Sequence, residues 1–292
     1  MIELLQYEFM RNALIAGLMA SVICGVMGTL VVVNRIVFLS GGIAHAAYGG
    51  IGMAVFFRWP FLPGTLGFSI AAAVVMAVVS LKAKHRADTI IGVIWAVGMA
   101  SGIIFLDLAP GYNVDLMSYL FGSILAVPIS HLWIMLALGC VIIGLVALLY
   151  NHFLAMSYDE EFAKIRGVPT TALYVLMIVM LAVTVVMVIQ IVGLILVIAL
   201  LTIPPFIMEK HAKTMARMMI GASLLGAACT GLGLWLSYRY NLTSGAAIIM
   251  VAGVVFFLTR VLEWTVDRYR RSSHFPSDPQ TGPVTAALRD KG

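Results

Sequence analysis

One stretch of the sequence, residues 171–208, contains no charged side chain. As a single α-helix it would be roughly 57 Å long, nearly twice the ~30 Å thickness of the hydrocarbon core of a membrane. We therefore predict two membrane-spanning helices here, divided near Gln190 and Gly193, and we expect the Gln190 amide to satisfy backbone groups that the break opens. A chain with such a stretch is predicted to lie in a lipid bilayer.

Seven further apolar runs of spanning length support this prediction, and they cover residues 12–33, 37–57, 64–81, 89–106, 131–150, 214–236 and 243–262. The chain is 62% hydrophobic and 11% charged, whereas a soluble domain has about 45–50% apolar and about 25% charged residues. We predict an all-α, polytopic transmembrane helix bundle of about nine spans, with eight and ten as alternatives. The bundle is expected to occupy residues 1–267, and residues 268–292 to form a disordered cytoplasmic tail.

Two segments between the runs are too short or too polar to span a membrane. Residues 115–127 are apolar but short, and they lie between a turn-forming Pro110-Gly111 pair and Pro128. We predict a short re-entrant or interfacial helix near 115–127. Residues 157–168 are polar, and we predict that they form a short amphipathic helix at the membrane surface.

The polar segment has the signals of a well-terminated helix. Ser157 or Asp159 is placed to cap its start, and Gly167 followed by Pro169 is placed to end it. Its charges follow the helix dipole, with acids in the first turn and bases in the last: Asp159, Glu160, Glu161, Lys164 and Arg166. Two interpretations fit, an ordinary capped loop helix or a docking element for a cytoplasmic partner.

The basic residues indicate the orientation of the chain. With nine spans and the N-terminus outside, only Arg11, Arg58 and Arg239 of the 18 Lys and Arg residues lie outside. Positive residues concentrate in cytoplasmic loops, so this arrangement is favoured and the C-terminus is predicted to be cytoplasmic. The same rule accounts for the net charge of +5 without a nucleic-acid partner.

Small residues predict where helices pack against each other. Gly25 and Gly28 lie on one face of the first span, and Gly42 and Gly50 lie on one face of the second. Small residues at this spacing let two backbones approach closely in lipid. They predict a tight bundle and say nothing of its cargo.

His45 is the ionisable residue that the pattern places deepest in a span. Ionisable groups inside a membrane are costly and usually functional. At helical spacing His45 shares a face with Gly41, Tyr48 and Gly52, which combines an imidazole and a phenol with bare backbone. This face is compatible with a metal or substrate pathway, and equally with a neutral histidine bonded to a neighbouring helix.

Other polar residues admit structural and functional interpretations. Asp107 and Asp115 flank the turn after the fourth span, where they either attract cations by their field or are solvated loop carboxylates. Pro204 and Pro205 are expected to break or kink the seventh span near its cytoplasmic end.

The sequence lacks the motifs of several enzyme classes. No Gly-x-x-x-x-Gly-Lys-[Ser/Thr] motif that would bind ATP phosphates is present, and no His-Glu-x-x-His motif. An ATP-driven process would therefore need a separate ATPase subunit. We predict a transport protein with no enzymatic activity and no permanently bound cofactor.

The order of its motifs resembles that of one family, the membrane permeases of zinc-, manganese- and iron-type ATP-binding-cassette importers. The resemblance covers residues 9–262. It is carried by NALIAG at 12–17, CGVMGT at 24–29, VVVNR at 31–35, HAA at 45–47, DTIIG at 88–92, DLMSYLFGSIL at 115–125, YDEEFA at 158–163, GVP at 167–169 and QIVGLILVIALL at 190–201 with Pro204.

This resemblance implies an importer subunit in the bacterial inner membrane. The permease would be a homodimer with the path of Zn²⁺, Mn²⁺ or Fe²⁺ at or near the dimer interface. Two cytoplasmic ATPases would dock on helix 157–168, and an extracytoplasmic binding protein would deliver the metal. Within this family His45 is expected to be a pathway ligand.

The sequence departs from the family pattern at one position of this path. The family usually reads Gly-Asp-Ala-Leu-Ser-His, but here Gly41 stands in place of the aspartate and Ala44 in place of the serine. One imidazole without a carboxylate suits Zn²⁺ better than Mn²⁺. A permease for metal chelates or cobalamin-like cargo is an alternative. An ATP-independent secondary transporter or channel is another.

Overall fold

The computed structural model describes residues 8–83, 86–109 and 128–273, and every regular element in that part of the chain is a helix. In chain order the helices are α1 Glu8–Val33, α2 Val37–Phe56, α3 Phe61–Lys82, α4 Ala87–Leu108, α5 Ile129–Leu148, α6 Tyr150–Tyr158, α7 Glu160–Ile165, α8 Thr170–Val192, α9 Leu194–His211, α10 Met215–Tyr240 and α11 Ser244–Ser273. The all-α prediction is confirmed.

Within the described ranges, nine helices are long and apolar enough to cross a membrane: α1 to α5 and α8 to α11. The predicted number of spans is confirmed. The re-entrant helix predicted near 115–127 lies outside the described residues, as does Asp115.

The uncharged stretch is divided where the sequence predicts. Gly193 separates α8 from α9 and has φ +85° and ψ 163°, in the region where side-chain-bearing residues are strained. Its N–H donates to the Ile189 carbonyl at 3.0 Å, and its own carbonyl accepts from Val197 N at 3.2 Å. A single glycine therefore ends one span and begins the next.

The two prolines of α9 do not end that helix. Pro204 and Pro205 both lie inside a continuous helix that runs to His211, so the helix is not broken there. Both rings are buried, and Pro205 packs against α1 beside Gly28. Packing on both sides holds the chain helical although the prolines donate no backbone hydrogen bonds.

Glycine contacts join α2 to α4. A Cβ on Gly52 would lie 2.7 Å from the Gly102 Cα, and a Cβ on Gly102 would lie 2.6 Å from the Tyr48 carbonyl carbon. Closer to the middle of α4, Gly98 contacts the Ala46 backbone in the same way. The two backbones touch without side chains between them. Of the predicted face of α2, Gly50 packs instead against Thr65 and Phe68 of α3.

A second set of close contacts joins α1 to α9 and α10. A Cβ on Gly25 would lie 2.7 Å from the Ser223 Cα in α10, and Gly28 abuts the Leu201 carbonyl in α9. Ser21 of α1 also shares a hydrogen bond of 3.0 Å with Thr230 of α10. The predicted small-residue face of α1 is thus a packing face.

The chain divides into two compact units, Met1–Gly253 and Val254–Gly292. In the described part of the second unit the chain is the continuation of α11 to Ser273, which includes the first residues of the predicted tail. An ion pair of 3.2 Å between Arg260 and Glu263 lies on this segment. Residues 274–292 lie outside the described ranges.

Candidate functional site

The side chain of His45 lies half-buried near the middle of α2. Its ring stacks on the indole of Trp95 from α4, with centroids 4.2 Å apart and an interplanar angle of 17°. Its Nδ1 is buried and has no hydrogen-bond partner in the described part of the chain. A buried polar atom without a partner costs about 1–3 kcal/mol, so such atoms call for an explanation.

The contacts between α2 and α4 explain how the imidazole and the indole meet. Trp95 and Gly98 lie one turn apart on α4, and Gly98 rests on the Ala46 backbone next to His45. Because no side chain separates the helices there, the indole reaches the imidazole ring directly. Trp95 could not be singled out from the sequence, since an aromatic residue in an apolar run has no local signal of a role.

Space for a further group lies one turn before His45. A Cβ added to Gly41 would meet no heavy atom within 4 Å, and Gly41 itself is half-buried. Residues at positions i and i+4 lie on the same face of a helix. A side chain at position 41 would therefore project from the face that carries the imidazole.

The rest of the predicted pathway face is closed by packing. Tyr48 is only 2% exposed, and Gly52 is in backbone contact with α4. The structure therefore places the Tyr48 phenol in the core of the bundle. The open part of this face is limited to the neighbourhood of Gly41 and His45.

Asp107, the predicted carboxylate that the structure describes, does not join His45. Asp107 is exposed in the last turn of α4, roughly 18 Å along the helix from Trp95. Among the described residues no group of three or more His, Cys, Asp or Glu side chains is placed to hold a metal ion. The site within one chain is one imidazole, one indole and adjacent open space.

The polar segment at 157–168 forms two helices rather than one. Ser157 belongs to the end of α6, and Asp159 caps the six-residue α7 by accepting a hydrogen bond of 2.9 Å from Phe162 N. The helix is thus shorter than predicted, because the chain turns at Asp159. Gly167, at φ +80°, lies between the end of α7 and the start of α8.

The charged residues of α7 form local contacts, and its apolar residues are exposed. Glu160 pairs with Lys164 at 2.6 Å, and the Arg166 guanidinium lies 5.5 Å from the centre of the Phe162 ring. Phe162 is 54% exposed and Ile165 is 84% exposed. An exposed apolar surface surrounded by charges is typical of a docking element. The charge pattern of the sequence did not reveal this apolar surface.

Gln190 does not have the role expected of it. Its Nε2 is buried without a hydrogen-bond partner in the described ranges. The backbone at the break is instead satisfied by Gly193 itself, which both donates and accepts within the chain. The amide is therefore another buried polar group without a partner among the described residues, at the end of α8.

The sequence matches the model of the ABC 3 transport family over residues 6–263. It is similar to an uncharacterized membrane protein of Synechocystis sp., with 50% identity over 89% of this chain and 92% of that protein. It is also similar to the manganese transport system membrane protein MntC of Listeria monocytogenes, with 33% identity over 87% of this chain and 91% of that protein. The solved structure of PsaBC from Streptococcus pneumoniae in complex with Fab matches with a TM-score of 0.80 and 29% identity, over 88% of this chain and 93% of that chain.

Proposed function

Because the chain belongs to the ABC 3 transport family, we propose that it is the membrane permease subunit of an ATP-driven importer of divalent metal ions. The observation that carries the proposal is the half-buried imidazole of His45 near the middle of α2, beside the open space at Gly41. Imidazole nitrogen is a ligand for zinc, iron and other transition metals. The Listeria relative is named as a manganese transport protein, which supports a metal cargo.

The proposed assembly contains three kinds of component. Two copies of this chain form a homodimer, with the N-termini outside and the C-termini in the cytoplasm. Two ATPase subunits dock on α7, whose exposed Phe162 and Ile165 provide apolar contact area. An extracytoplasmic binding protein delivers the ion at the other side of the bacterial inner membrane.

The chemistry of the site favours a cargo that accepts nitrogen. Zn²⁺ and Fe²⁺ bind imidazole well, whereas Mn²⁺ prefers carboxylate and carbonyl oxygen. Among the described residues, no group of three or more His, Cys, Asp or Glu side chains forms at His45. The open space at Gly41 supports one alternative, a metal chelate whose organic part would fill it.

Uptake into proteoliposomes that contain the permease and its ATPase tests the proposal. We expect ATP-dependent entry of Zn²⁺ or Fe²⁺, with Mn²⁺ carried less efficiently. Chelated metal carried in preference to the free ion would select the alternative. ATP-independent entry, or no entry of any of these cargoes, would contradict the proposal that the chain belongs to an ATP-driven importer.

Replacing Gly41 with aspartate is expected to shift selectivity toward Mn²⁺. The new carboxylate fits the open space and lies one turn from His45, which gives the ion an oxygen ligand beside the nitrogen. We expect the KM for Mn²⁺ to fall about tenfold, equivalent to about 1.4 kcal/mol of binding. Competition between Mn²⁺ and Zn²⁺ in the same vesicles measures the shift.

The matched control is Gly41→Asn, which has nearly the same shape without the charge. It should leave the ratio of Mn²⁺ to Zn²⁺ uptake close to that of the unmodified chain. Equal shifts in both variants would mean that filling the space, and not the carboxylate, changes the transport.

Reversing the charges of Glu160 and Glu161 to lysine is expected to uncouple the ATPase. The change removes the Glu160–Lys164 pair and places two positive charges in the first turn of α7, where the helix dipole disfavours them. We expect stimulated ATP hydrolysis and uptake to fall about tenfold. Hydrolysis is measured with and without the binding protein, and complex formation by co-purification.

Arg239→Glu provides the control, since it reverses an exposed charge in the last turn of α10, at the end predicted to lie outside. Coupling should survive this change. Normal co-purification together with normal stimulated hydrolysis in the Glu160/Glu161 variant would show that α7 is not the docking element.

A further inference from the structure

A cavity of about 310 Å³ lies where the ends of several helices meet, apart from the His45 site. It is bordered by the turn between α1 and α2, the end of α3, the start of α4, α7 and the start of α8. In the proposed orientation it faces the cytoplasm, directly beside the docking helix. Its polar lining includes Asn34, Ser80, Asp88, Glu160, Thr170 and Tyr174.

One hydroxyl in this lining is deeply buried and unpaired. Thr170, the first residue of α8, is 3% exposed, and its Oγ1 has no hydrogen-bond partner among the described residues. Its backbone N–H is already used in a bond of 2.8 Å to the Val168 carbonyl. A buried hydroxyl without a partner beside a cavity calls for an explanation, and a ligand in the cavity would provide one.

Neighbouring side chains in the cavity lining also have oxygen atoms that can accept a hydrogen bond or bind a cation. The Asn34 amide nitrogen donates to the Leu30 carbonyl at 2.8 Å and to Ser157 Oγ at 2.9 Å, which fixes the side chain through its nitrogen and leaves its oxygen for another partner. The Ser80 and Tyr174 hydroxyls share one hydrogen bond of 2.9 Å, so lone pairs remain on both.

Two carboxylates also belong to the polar lining of the cavity. Asp88 lies in the first turn of α4, and Glu160 belongs to α7, where it pairs with Lys164 at 2.6 Å. Carboxylate, amide and hydroxyl oxygens are the ligands of hard divalent cations such as Mn²⁺, Mg²⁺ and Ca²⁺. This chemistry differs from that of the transmembrane site, where nitrogen predominates.

One positive residue, Arg35, also borders the cavity. It occupies a left-handed conformation, with φ +57°, in the turn between α1 and α2, and its side chain is exposed. The exposed guanidinium of Arg35 can stay in the solvent and need not enter the cavity, whereas the buried side chain of Thr170 is fixed in place by packing. The charge of Arg35 weakens cation binding, which predicts a low-affinity site that fills only when the metal concentration is high.

We propose that this cavity is a second cation site, which binds a hard divalent ion from the cytoplasm and slows transport when occupied. An ion that joins Asp88 of α4 to Glu160 of α7 ties the docking helix to the bundle, so α7 moves less freely with the ATPase. The inference rests on the proposed function, because it assigns α7 to coupling. Metal already in the cell would thereby limit further import.

Direct binding of Mn²⁺ tests the site without any transport assay. The purified full-length chain carries His45→Ala, so that the transmembrane imidazole does not contribute, and electron paramagnetic resonance measures free Mn²⁺. We expect one ion per chain, and Asp88→Asn and Thr170→Val should each raise the Kd at least tenfold. Asp107→Asn, at the opposite end of the same helix, should leave the Kd unchanged.

Replacing Arg35 with alanine distinguishes whether the cavity binds a cation or an anion. Removal of this charge should tighten Mn²⁺ binding severalfold if the cavity holds a cation. Inorganic phosphate that binds the unmodified chain and is lost with Arg35→Ala would overturn the proposal in favour of an anion site. Absence of Mn²⁺ binding at millimolar concentration, or a Kd unaffected by Asp88→Asn, would overturn it as well.

The regulatory part is tested in vesicles loaded with Mn²⁺ on the side of the ATPase. Lumenal Mn²⁺ should slow Zn²⁺ uptake severalfold in the unmodified chain and leave the Asp88→Asn variant unaffected. Equal inhibition of both would overturn the proposed regulation. A chain that binds Mn²⁺ here but carries no metal would contradict the importer function, whereas transport without this binding would contradict only the second site.

Discussion

Replacing His45 with alanine is expected to lower metal uptake at least tenfold while the protein still folds and assembles with its ATPase. The imidazole is half-buried in a span, and its Nδ1 has no hydrogen-bond partner among the described residues. Its removal therefore eliminates the metal ligand without breaking a hydrogen bond to Nδ1. The lost stacking on Trp95 should cost about 0.5–1.5 kcal/mol, which a nine-span bundle tolerates. Uptake of Zn²⁺ into proteoliposomes, with size-exclusion profiles beside it, measures both effects.

The chain offers a matched control in His131. This histidine is also half-buried, lies at the start of α5, and has a buried Nδ1 without a partner in the described ranges. His131→Ala should retain uptake. Cysteine at position 45 provides a further check, because a thiolate binds Zn²⁺ and should restore part of the Zn²⁺ uptake but little Mn²⁺ uptake. Uptake by His45→Ala within twofold of the unmodified chain would remove the pathway role.

Replacing Gly52 with leucine is expected to prevent correct assembly of the bundle. A Cβ alone would already lie 2.7 Å from the Gly102 Cα, and the remaining atoms of leucine would push the α2 and α4 backbones apart. Overpacking of this kind typically costs about 1–3 kcal/mol, and more where backbone must move. We expect low yields of monodisperse protein and a Tm lowered by several degrees, measured in detergent.

The corresponding control is Gly67→Leu in α3. A Cβ there meets no heavy atom within 4 Å, and the residue is exposed on its helix. The same substitution should therefore leave yield and Tm unchanged. If both variants behaved alike, the contact between α2 and α4 would not be essential to assembly.

The sequence alone was sufficient to predict the fold class, the nine spans and the break at Gly193. These features follow from the length of apolar runs and from the conformational freedom of glycine, which are local properties. The helix continues through both prolines because their buried packing, Pro205 against α1 and Pro204 against Gly226 of α10, outweighs the local preference of proline. Tertiary contacts of this kind leave no trace in a short window of sequence.

The candidate site was predictable only in part. His45 could be singled out because an ionisable residue is rare inside a span. The stacking of His45 on Trp95 could not be predicted, since it depends on the register between α2 and α4 and on glycines far apart in sequence. The same limit applies to the cavity near Thr170, whose walls come from segments that are distant along the chain.

The glycine contacts between α2 and α4 have a consequence for the way such a permease would move. Helices whose backbones touch cannot slide past each other without a steric clash, so they must move as one body. His45 and Trp95 are carried on these two helices, and their stacking would persist while the path opens first to one side and then to the other. The metal ligand His45 would then move together with the bound ion. The parts of the path that open and close would lie where α2 and α4 contact the other helices.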